Sequence, residues 1–434
     1  MQRSVWYAVA AALAVTAAAG VVAADGANGR STAPEVATPS PSRIRDLDIA
    51  FYQGRVARDP LSARDFTQLA NLYLQRARET ADNEDLVRAE EIARHSLSLR
   101  RGRNDEAFGV LASSLLGQHR FVEALEVGQR LLTADSTSIA ARGLVAETEL
   151  ELGRYDEARR LFGMLATYRA DLGVAPRLAR WEELRGHPEE ARRLLRQARD
   201  VAARRHGMPR EQIAWFQLRL GDLALRAGQL DEAERELNAG RRILPDDYRL
   251  LGATARLDAA RHDWRGAADA GEHAVARALD PATLGLLHDV YIALGDTAKA
   301  NEYYRAMALA VLHQPGPYHR AWSLFLLDHD REVPRVLANV EEELTTRRDV
   351  YGYDLLAWAL HKSGRDAESM APMERALALG TRDAMLYYHA GTIALARGDT
   401  VSARGRLTEA LAINPHWHPS QPAAVRAVLD SLAR

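Results

Sequence analysis

The chain has 434 residues, so it exceeds the size at which one globular core stops growing and forms either several domains or an elongated array. Hydrophobic residues make up 47% and charged residues 27%, a balance that excludes a chain disordered throughout. The 57 basic and 59 acidic residues nearly cancel, which excludes a global positive field that would attract nucleic acid or acidic membranes.

The chain contains no cysteine, which excludes disulfides, thiolate metal ligands, a cysteine nucleophile and lipid attachment at cysteine. Its basic residues are nearly all arginine, and lysine occurs only at Lys299 and Lys362. Because alanine and leucine are at least as abundant as arginine, base composition accounts for the arginine bias better than nucleic-acid binding does.

The N-terminus carries an apolar run from Val5 to Ala24 that follows a single arginine, Arg3. Val22 and Ala24 form a small-residue cleavage pattern, so we predict that residues 1–24 are a signal peptide. The run is also long enough to cross a bilayer, and an uncleaved segment would act as a signal anchor. Either alternative predicts an exported protein, periplasmic or extracellular, with any membrane attachment made only through residues 5–24.

Residues 25–45 are rich in Gly, Pro, Ser and Thr and contain almost no large apolar residue. Such a segment buries too little surface to offset its ordering entropy. We therefore predict a disordered linker over residues 25–45.

A short motif recurs along the rest of the chain, as LGRYDEARRLF at residues 152–162 and GQLDEAERELN at residues 228–238. The alanine of this motif, or its substitute, returns every 33 to 35 residues, apart from one larger gap of 42. These marker positions are Ala89, Ala124, Ala158, Ala191, Ala233, Ala267, Ala300, Arg335, Ser369 and Ala403. The period predicts ten units.

The residues around each marker suit a helix–turn–helix unit. Glycine supplies a left-handed backbone state at the turn, small residues allow two helices to approach, and proline follows the second helix. We assign such structural roles to Gly153, Tyr155, Ala158, Gly221, Gly228, Ala233, Pro245, Gly295, Ala300, Gly364, Gly391, Gly398, Ala403 and Pro415.

This pattern resembles the tetratricopeptide-repeat family, whose unit is 34 residues long. The resemblance covers about residues 61–418 and implies an all-α fold, a right-handed superhelical solenoid of about ten antiparallel helix pairs. We assign residues 46–418 to the solenoid. The amphipathic stretch at residues 419–434 predicts a C-terminal capping helix.

Three stretches depart from the pattern. The first unit has a polar segment before Ala89 that predicts an expanded turn, and the insertion near residues 204–215 predicts a lengthened helix and loop. The eighth unit lacks both the glycine and the alanine. We expect one solenoid that can kink near residues 199–213 or 313–335.

The resemblance further implies that the first helix of each pair lines a concave surface that binds peptides or partner proteins. At the family's concave positions this chain has Arg177, Arg180, Trp215, Arg226, Tyr351, Asp354, Trp358, His361, Lys362 and Tyr388. An aromatic–polar mixture such as Tyr351, Trp358 and Lys362 suits a binding hot spot. The alternative is that these aromatic residues pack between helices.

No catalytic signature accompanies the repeats. The sequence lacks Gly-x-Ser-x-Gly, a phosphate-binding glycine–lysine loop and His-Glu-x-x-His. The pairs His416/His418 and His313/His319 have no third ligand at a suitable spacing, so we predict no metal site and no cofactor. His288 and Asp289 are neighbours on a predicted helix, and we expect their side chains to diverge.

Two functional hypotheses follow. The first is a non-enzymatic scaffold that binds a protein or peptide partner outside the cytoplasm, without a nucleic-acid role. The second is a regulatory or sensory module of a cell-envelope enzyme or polysaccharide-export system. An enzyme would need ionisable residues clustered in one groove, such as Asp354, His361 and Lys362 meeting Asp328 or His329.

Overall fold

The computed structural model describes residues 40–312 and 320–433, in which every regular element is helical. The predicted signal peptide and residues 25–39 of the predicted linker lie outside these ranges. Across the described residues, no helix is both long enough and apolar enough to span a bilayer.

Twenty consecutive helices form ten antiparallel pairs. They are α2 (Ala63–Thr80) with α3 (Asn83–Leu99), α4 (Asp105–Gly117) with α5 (Phe121–Ala134), α6 (Ile139–Glu151) with α7 (Tyr155–Leu165), α8 (Ala175–Leu184) with α9 (Pro188–Arg204), α10 (Arg210–Arg226) with α11 (Leu230–Ile243), α12 (Tyr248–Ala260) with α13 (Trp264–Val275), α14 (Pro281–Ala293) with α15 (Thr297–Leu312), α16 (Arg320–Asp328) with α17 (Val333–Glu343), α18 (Val350–Lys362) with α19 (Asp366–Leu377), and α20 (Ala384–Ala396) with α21 (Thr400–Ile413).

Helix α1 (Pro41–Arg58) precedes the pairs, and α22 (Gln421–Leu432) follows them. The predicted all-α array of ten helix pairs with a closing C-terminal helix is therefore confirmed. Residues 41–45, which were expected to belong to the linker, instead form the start of helix α1. Its Arg45 side chain is buried and pairs with Glu79 of α2, a contact that linker composition did not reveal.

Each helix pair has a residue in the left-handed region of backbone space at its turn, and the eighth pair has a second one, Glu332. Six pairs use glycine there, and five of these glycines, at positions 153, 228, 295, 364 and 398, belong to the predicted set. The sixth is Gly186. The remaining pairs turn at Ala81, His119, His262 and Asp330, which have φ between 52° and 60°. The left-handed turn therefore forms with or without glycine, and glycine only lowers its conformational energy.

Small residues bring paired helices together. The marker alanines and Ser369 have no exposed surface. On the first helices, a Cβ added to Gly221 or Gly391 would lie only 2.7 Å from a leucine of the second helix. The eighth pair differs because Arg335 is exposed while the adjacent Val336 is buried. There the register of the second helix shifts by one residue.

The departures from the repeat lengthen helices. In the first pair, only Ala81 and Asp82 separate two long helices, so the expected expanded turn is wrong. The Asp82 side chain caps α3 by accepting a hydrogen bond from the Glu84 N–H at 2.9 Å, which lets the helix start early. The 42-residue gap corresponds to 17-residue helices at both α9 and α10.

The array folds back so that early turns contact loops about 190 residues later. The Arg348 N–H donates to the Leu152 carbonyl at 3.2 Å, and the Val350 N–H donates to the Tyr155 hydroxyl at 2.7 Å. The Asn414 side-chain amide donates to the Leu225 carbonyl at 3.0 Å. We call this set of contacts, together with the packing of Gly186 on Gly380, the closure.

Replacing Gly186 by alanine tests the closure. An added Cβ would lie 2.2 Å from the Gly380 carbonyl oxygen, at a residue whose φ is +77°. We expect this variant to lose about 1–2 kcal/mol of stability because alanine is strained in the left-handed region. It should lose further stability because the added Cβ breaks the closure contact at this turn. Thermal unfolding followed by circular dichroism measures the loss.

The matched control is Gly364→Ala, which has a similar φ of +75° but no atom within 4 Å of the added Cβ. This control should lose only the stability that the left-handed strain costs, so its melting temperature should fall less than that of Gly186→Ala. Equal losses in the two variants would contradict a stabilising closure.

Candidate functional site

A cavity of about 430 Å³ opens among the first helices α6, α8 and α10. Its polar wall carries Arg177, Arg180, Arg219 and Arg226, and we call it the arginine cavity. Trp215 of α10 contributes to its apolar wall together with leucine and phenylalanine side chains. Four of the predicted partner-binding residues, Arg177, Arg180, Trp215 and Arg226, therefore line one space.

The guanidinium groups of the arginine cavity are held by carboxylates. Arg177 pairs with Glu147 at 2.8 Å. Glu183 receives Arg180 at 3.0 Å and Arg219 at 3.1 Å. These pairs fix the arginine side chains in place, which reduces the entropy lost when a ligand binds.

Glu183 lies at the centre of this charge network. Burial by itself would raise the pKa of its carboxyl, but Arg180, Arg219 and Arg226 outweigh that effect and lower the pKa to about 2. One of its carboxylate oxygens is buried and accepts no hydrogen bond. The carboxylate therefore remains charged at neutral pH and neutralises part of the arginine charge.

The arginines of the cavity wall also have carboxylate partners outside it. Four arginines share the lining with Glu147, Glu151 and Glu183, and Arg219 and Arg226 pair in addition with Asp222 at 3.5 Å and Asp383 at 3.1 Å. Burial raises the pKa of Glu151, an effect that Arg180 and Arg347 oppose. An anionic ligand would therefore compete with these carboxylates for the guanidinium groups.

Tyr351 lies where the closure meets the arginine cavity. Its hydroxyl accepts a hydrogen bond from Arg226 at 3.3 Å, and Arg226 also pairs with Asp383 at 3.1 Å. The guanidinium groups of Arg180 and Arg320 lie over its ring, at 5.6 and 4.6 Å from the centroid. Tyr351 is buried, and its ring separates the guanidinium groups that surround it. The sequence did not predict this role.

The remaining predicted aromatic residues form a separate cluster. Trp358 is 3% exposed, stacks on His389 at 4.1 Å and donates to Asp328 at 2.9 Å. Tyr388 lies 5.8 Å from Trp358, between ring centroids. The indole is therefore covered by other residues of the chain, as the alternative of packing between helices predicted.

The charged members of that cluster also have internal partners. Lys362 lies over the Trp358 ring and pairs with Asp330 at 2.6 Å. His361 lies 2.6 Å from Asp366, within its own helix pair. Their ion pairs are therefore with Asp330 and Asp366 and not with Asp328 or His329, the partners that the enzymatic hypothesis named.

Asp354 is fully buried and cannot offer a contact surface to a partner. Its carboxylate lies 2.7 Å from His389 and 3.3 Å from Arg320. Burial would raise the pKa of Asp354, but His389 and Arg320 lower it. The carboxylate ties α18 to its neighbours α16 and α20.

Sequence reasoning missed two groups of residues. Arg219 lies four residues after Trp215, on the same face of α10, and this helical spacing could have identified it. The second group brings His288 and Asp289 to within 2.9 Å of each other, so the expectation that their side chains diverge is wrong. His329 of the next pair approaches the same carboxylate oxygen at 3.0 Å.

Comparisons with known proteins come from two sources. A tetratricopeptide-repeat family model matches residues 115–172, which span α5, α6 and α7. Among solved structures, the crystal structure of the APC/C hetero-tetramer Cut9–Hcn1 is similar at 13% identity, covering 91% of this chain and 94% of that chain, with a TM-score of 0.35. No curated protein sequence matches the chain.

Glu183→Gln tests the charge network. Because the folded pKa lies below the ordinary value of 4.5, ionised Glu183 stabilises the fold above that pH, and this contribution is lost as the pH falls towards 2. We expect the variant to lose about 3 kcal/mol at pH 7 through uncompensated arginine charge. Its difference from the wild type should shrink between pH 4.5 and 2.

The control is the adjacent Glu182→Gln. Glu182 pairs with half-exposed Arg185 at 3.4 Å and exposed His187 at 2.7 Å, so its loss should stay below about 1 kcal/mol. Urea unfolding at a series of pH values compares the variants. A loss for Glu183→Gln that does not change with pH would contradict the assignment.

Proposed function

We propose that this chain, which matches a tetratricopeptide-repeat family model over residues 115–172 and forms ten helix pairs, is a non-enzymatic scaffold that binds a protein or peptide partner on its concave face. The observation that carries the proposal is the arginine cavity, which lies on first helices, the elements that form the concave surface in this family. Its arginines are already oriented by carboxylates, and preorganised groups lose less entropy on binding.

The wall chemistry defines the class of ligand. The guanidinium groups of the wall suit a carboxylate, which an arginine can hold through two parallel hydrogen bonds. Trp215 and Phe162 provide apolar area beside it. We infer that the ligand is an extended peptide segment with an acidic group next to a hydrophobic side chain. A cavity of about 430 Å³ accommodates a few side chains and is too small for a folded domain.

A peptide library tests this function. Displayed peptides are panned on the full-length chain, and the selected sequences are measured by fluorescence anisotropy. We expect enrichment of peptides that combine an acidic and a hydrophobic residue. Arg177→Ala should weaken their binding about 10-fold or more, since a charge-assisted hydrogen bond contributes about 1.5–3 kcal/mol.

The matched control is Arg130→Ala, because Arg130 lies on a second helix and its side chain is 74% exposed. This variant should bind the selected peptides like the wild type. Equal affinity of both variants would argue against the arginine cavity as the binding site. If the selected peptides are uncharged but still bind Arg177→Ala more weakly than the wild type, the arginine cavity is the binding site and the proposed ligand class is wrong.

We also propose that the scaffold operates outside the cytoplasm. The apolar run at residues 5–24 and the small residues before Asp25 support this location. N-terminal sequencing of the protein recovered from cells tests it. A chain starting at Asp25 is expected, whereas a chain retaining Met1 in the soluble cytoplasmic fraction would contradict export.

A further inference from the structure

Two histidines and one aspartate from neighbouring helix pairs converge on a single point. His288 and Asp289 are consecutive in α14, and His329 directly follows α16. The Asp289 Oδ1 atom lies 2.9 Å from His288 Nδ1 and 3.0 Å from His329 Nε2. One potential ligand atom from each of the three side chains falls within 4.8 Å of the other two.

The hydrogen bonds of His329 decide which ring nitrogen faces this point. His329 Nδ1 lies 2.8 Å from the Phe325 backbone carbonyl oxygen, which can only accept a hydrogen bond. Nδ1 therefore carries the proton, and the neutral ring presents a bare lone pair at Nε2. In that neutral form the lone pair faces the Asp289 carboxylate oxygen at 3.0 Å, and either a proton on Nε2 or a bound cation relieves the repulsion between the two acceptors.

We propose that His288, Asp289 and His329 bind a Zn²⁺ ion. Two imidazoles and one carboxylate form a three-ligand set that zinc uses when a fourth position holds water. Zinc bonds of about 2.0–2.1 Å in a tetrahedron separate ligand atoms by about 3.3 Å. Asp289 Oδ1 lies 2.9 and 3.0 Å from the two histidine nitrogens, and those nitrogens lie within 4.8 Å of each other. The chain has no cysteine, and these side chains supply nitrogen and oxygen ligands instead.

The ligand types select zinc over the abundant hard cations. Ca²⁺ and Mg²⁺ prefer six or more oxygen ligands, whereas two of the three ligands here are imidazole nitrogens. The carbonyl that accepts from His329 Nδ1 also matches the usual outer partner of a zinc-bound histidine, which fixes the ring and its tautomer.

The surroundings of the three side chains exclude bulk water on one side. His288 is 4% exposed, and the Phe325 ring packs against both imidazoles, with centroid distances of 4.9 Å to His288 and 4.2 Å to His329. Nearby, His418 accepts a hydrogen bond at Nδ1 from the Ser420 N–H at 3.2 Å. His418 lies outside the group of three potential ligands.

The ion would join the first helices of the seventh and eighth pairs. The eighth pair is the one in which the marker residue, Arg335, is exposed, so its paired helices lack the close approach that alanine provides elsewhere. A metal bond between α14 and α16 would stabilise the array at this junction, because ligand binding to the folded chain adds its free energy to folding.

Isothermal titration of the untagged, full-length chain with zinc chloride tests the proposal. We expect one equivalent to bind with micromolar or tighter affinity in the presence of excess Mg²⁺, and to raise the melting temperature. Titration with Co²⁺ should produce visible absorption bands of a tetrahedral nitrogen–oxygen site. No binding by the wild type would overturn the proposal.

Variants locate the ion. His329→Ala and the size-conserving Asp289→Asn should each weaken zinc binding by about 100-fold and remove the zinc-induced rise in melting temperature. Melting of each variant without zinc checks that it folds, and binding by either folded variant at wild-type affinity would overturn the assignment.

The matched control is His273→Ala. His273 makes the same bond from Nδ1 to a carbonyl four residues earlier, that of Asp269, at 2.8 Å, but it is exposed and outside the cluster. This control should bind zinc like the wild type. Weakening of equal size in His273→Ala would assign the zinc to surface histidines and overturn the proposal.

Discussion

The closure depends on backbone contacts that a side chain would block. At Gly153 and Gly186 the turn lies so close to a later loop that an added Cβ would fall within 2.2 Å of a carbonyl oxygen. Glycine at these positions therefore serves two purposes, since it adopts the left-handed state and also leaves room for the loop. Gly364 and Gly398 turn in the same way without a neighbour, so only the first purpose applies there.

The candidate binding site depends on the closure. Arg226 reaches Tyr351 and Asp383 only because the closure brings the ninth and tenth pairs against the fourth and fifth. The same contacts cover Tyr351, while the arginine cavity remains an unfilled space on the first helices. A solenoid that remained open would instead expose Tyr351 as a separate aromatic anchor.

Charged residues on the first helices connect neighbouring pairs where alanine does not. Glu183 draws together arginines of α8 and α10, and Asp354 connects α18 to its two neighbours. The proposed zinc ligands would join α14 to α16 in the same manner. Buried charges of this kind specify which helices meet, and they destabilise the fold when one partner is removed.

The sequence by itself determined the repeat and its local geometry. The period of the marker alanines predicted ten pairs, and the glycines identified most of the turns, because close helix approach and left-handed turns impose local demands on residue type. It also pointed to Arg177, Arg180, Trp215 and Arg226 through their position in the unit. Arg219 shares a helix face with Trp215 and was within reach of the same reasoning.

Only the tertiary structure decided which of those residues remain accessible and which meet distant partners. Trp358 and Tyr351 occupy family positions for binding, yet they are buried by neighbours supplied from other pairs. Gly186 packs on Gly380, and His329 approaches Asp289, across separations that no local pattern encodes. The physical reason is that superhelical curvature accumulates small rotations over many units, and this sum, rather than any single motif, sets which surfaces meet.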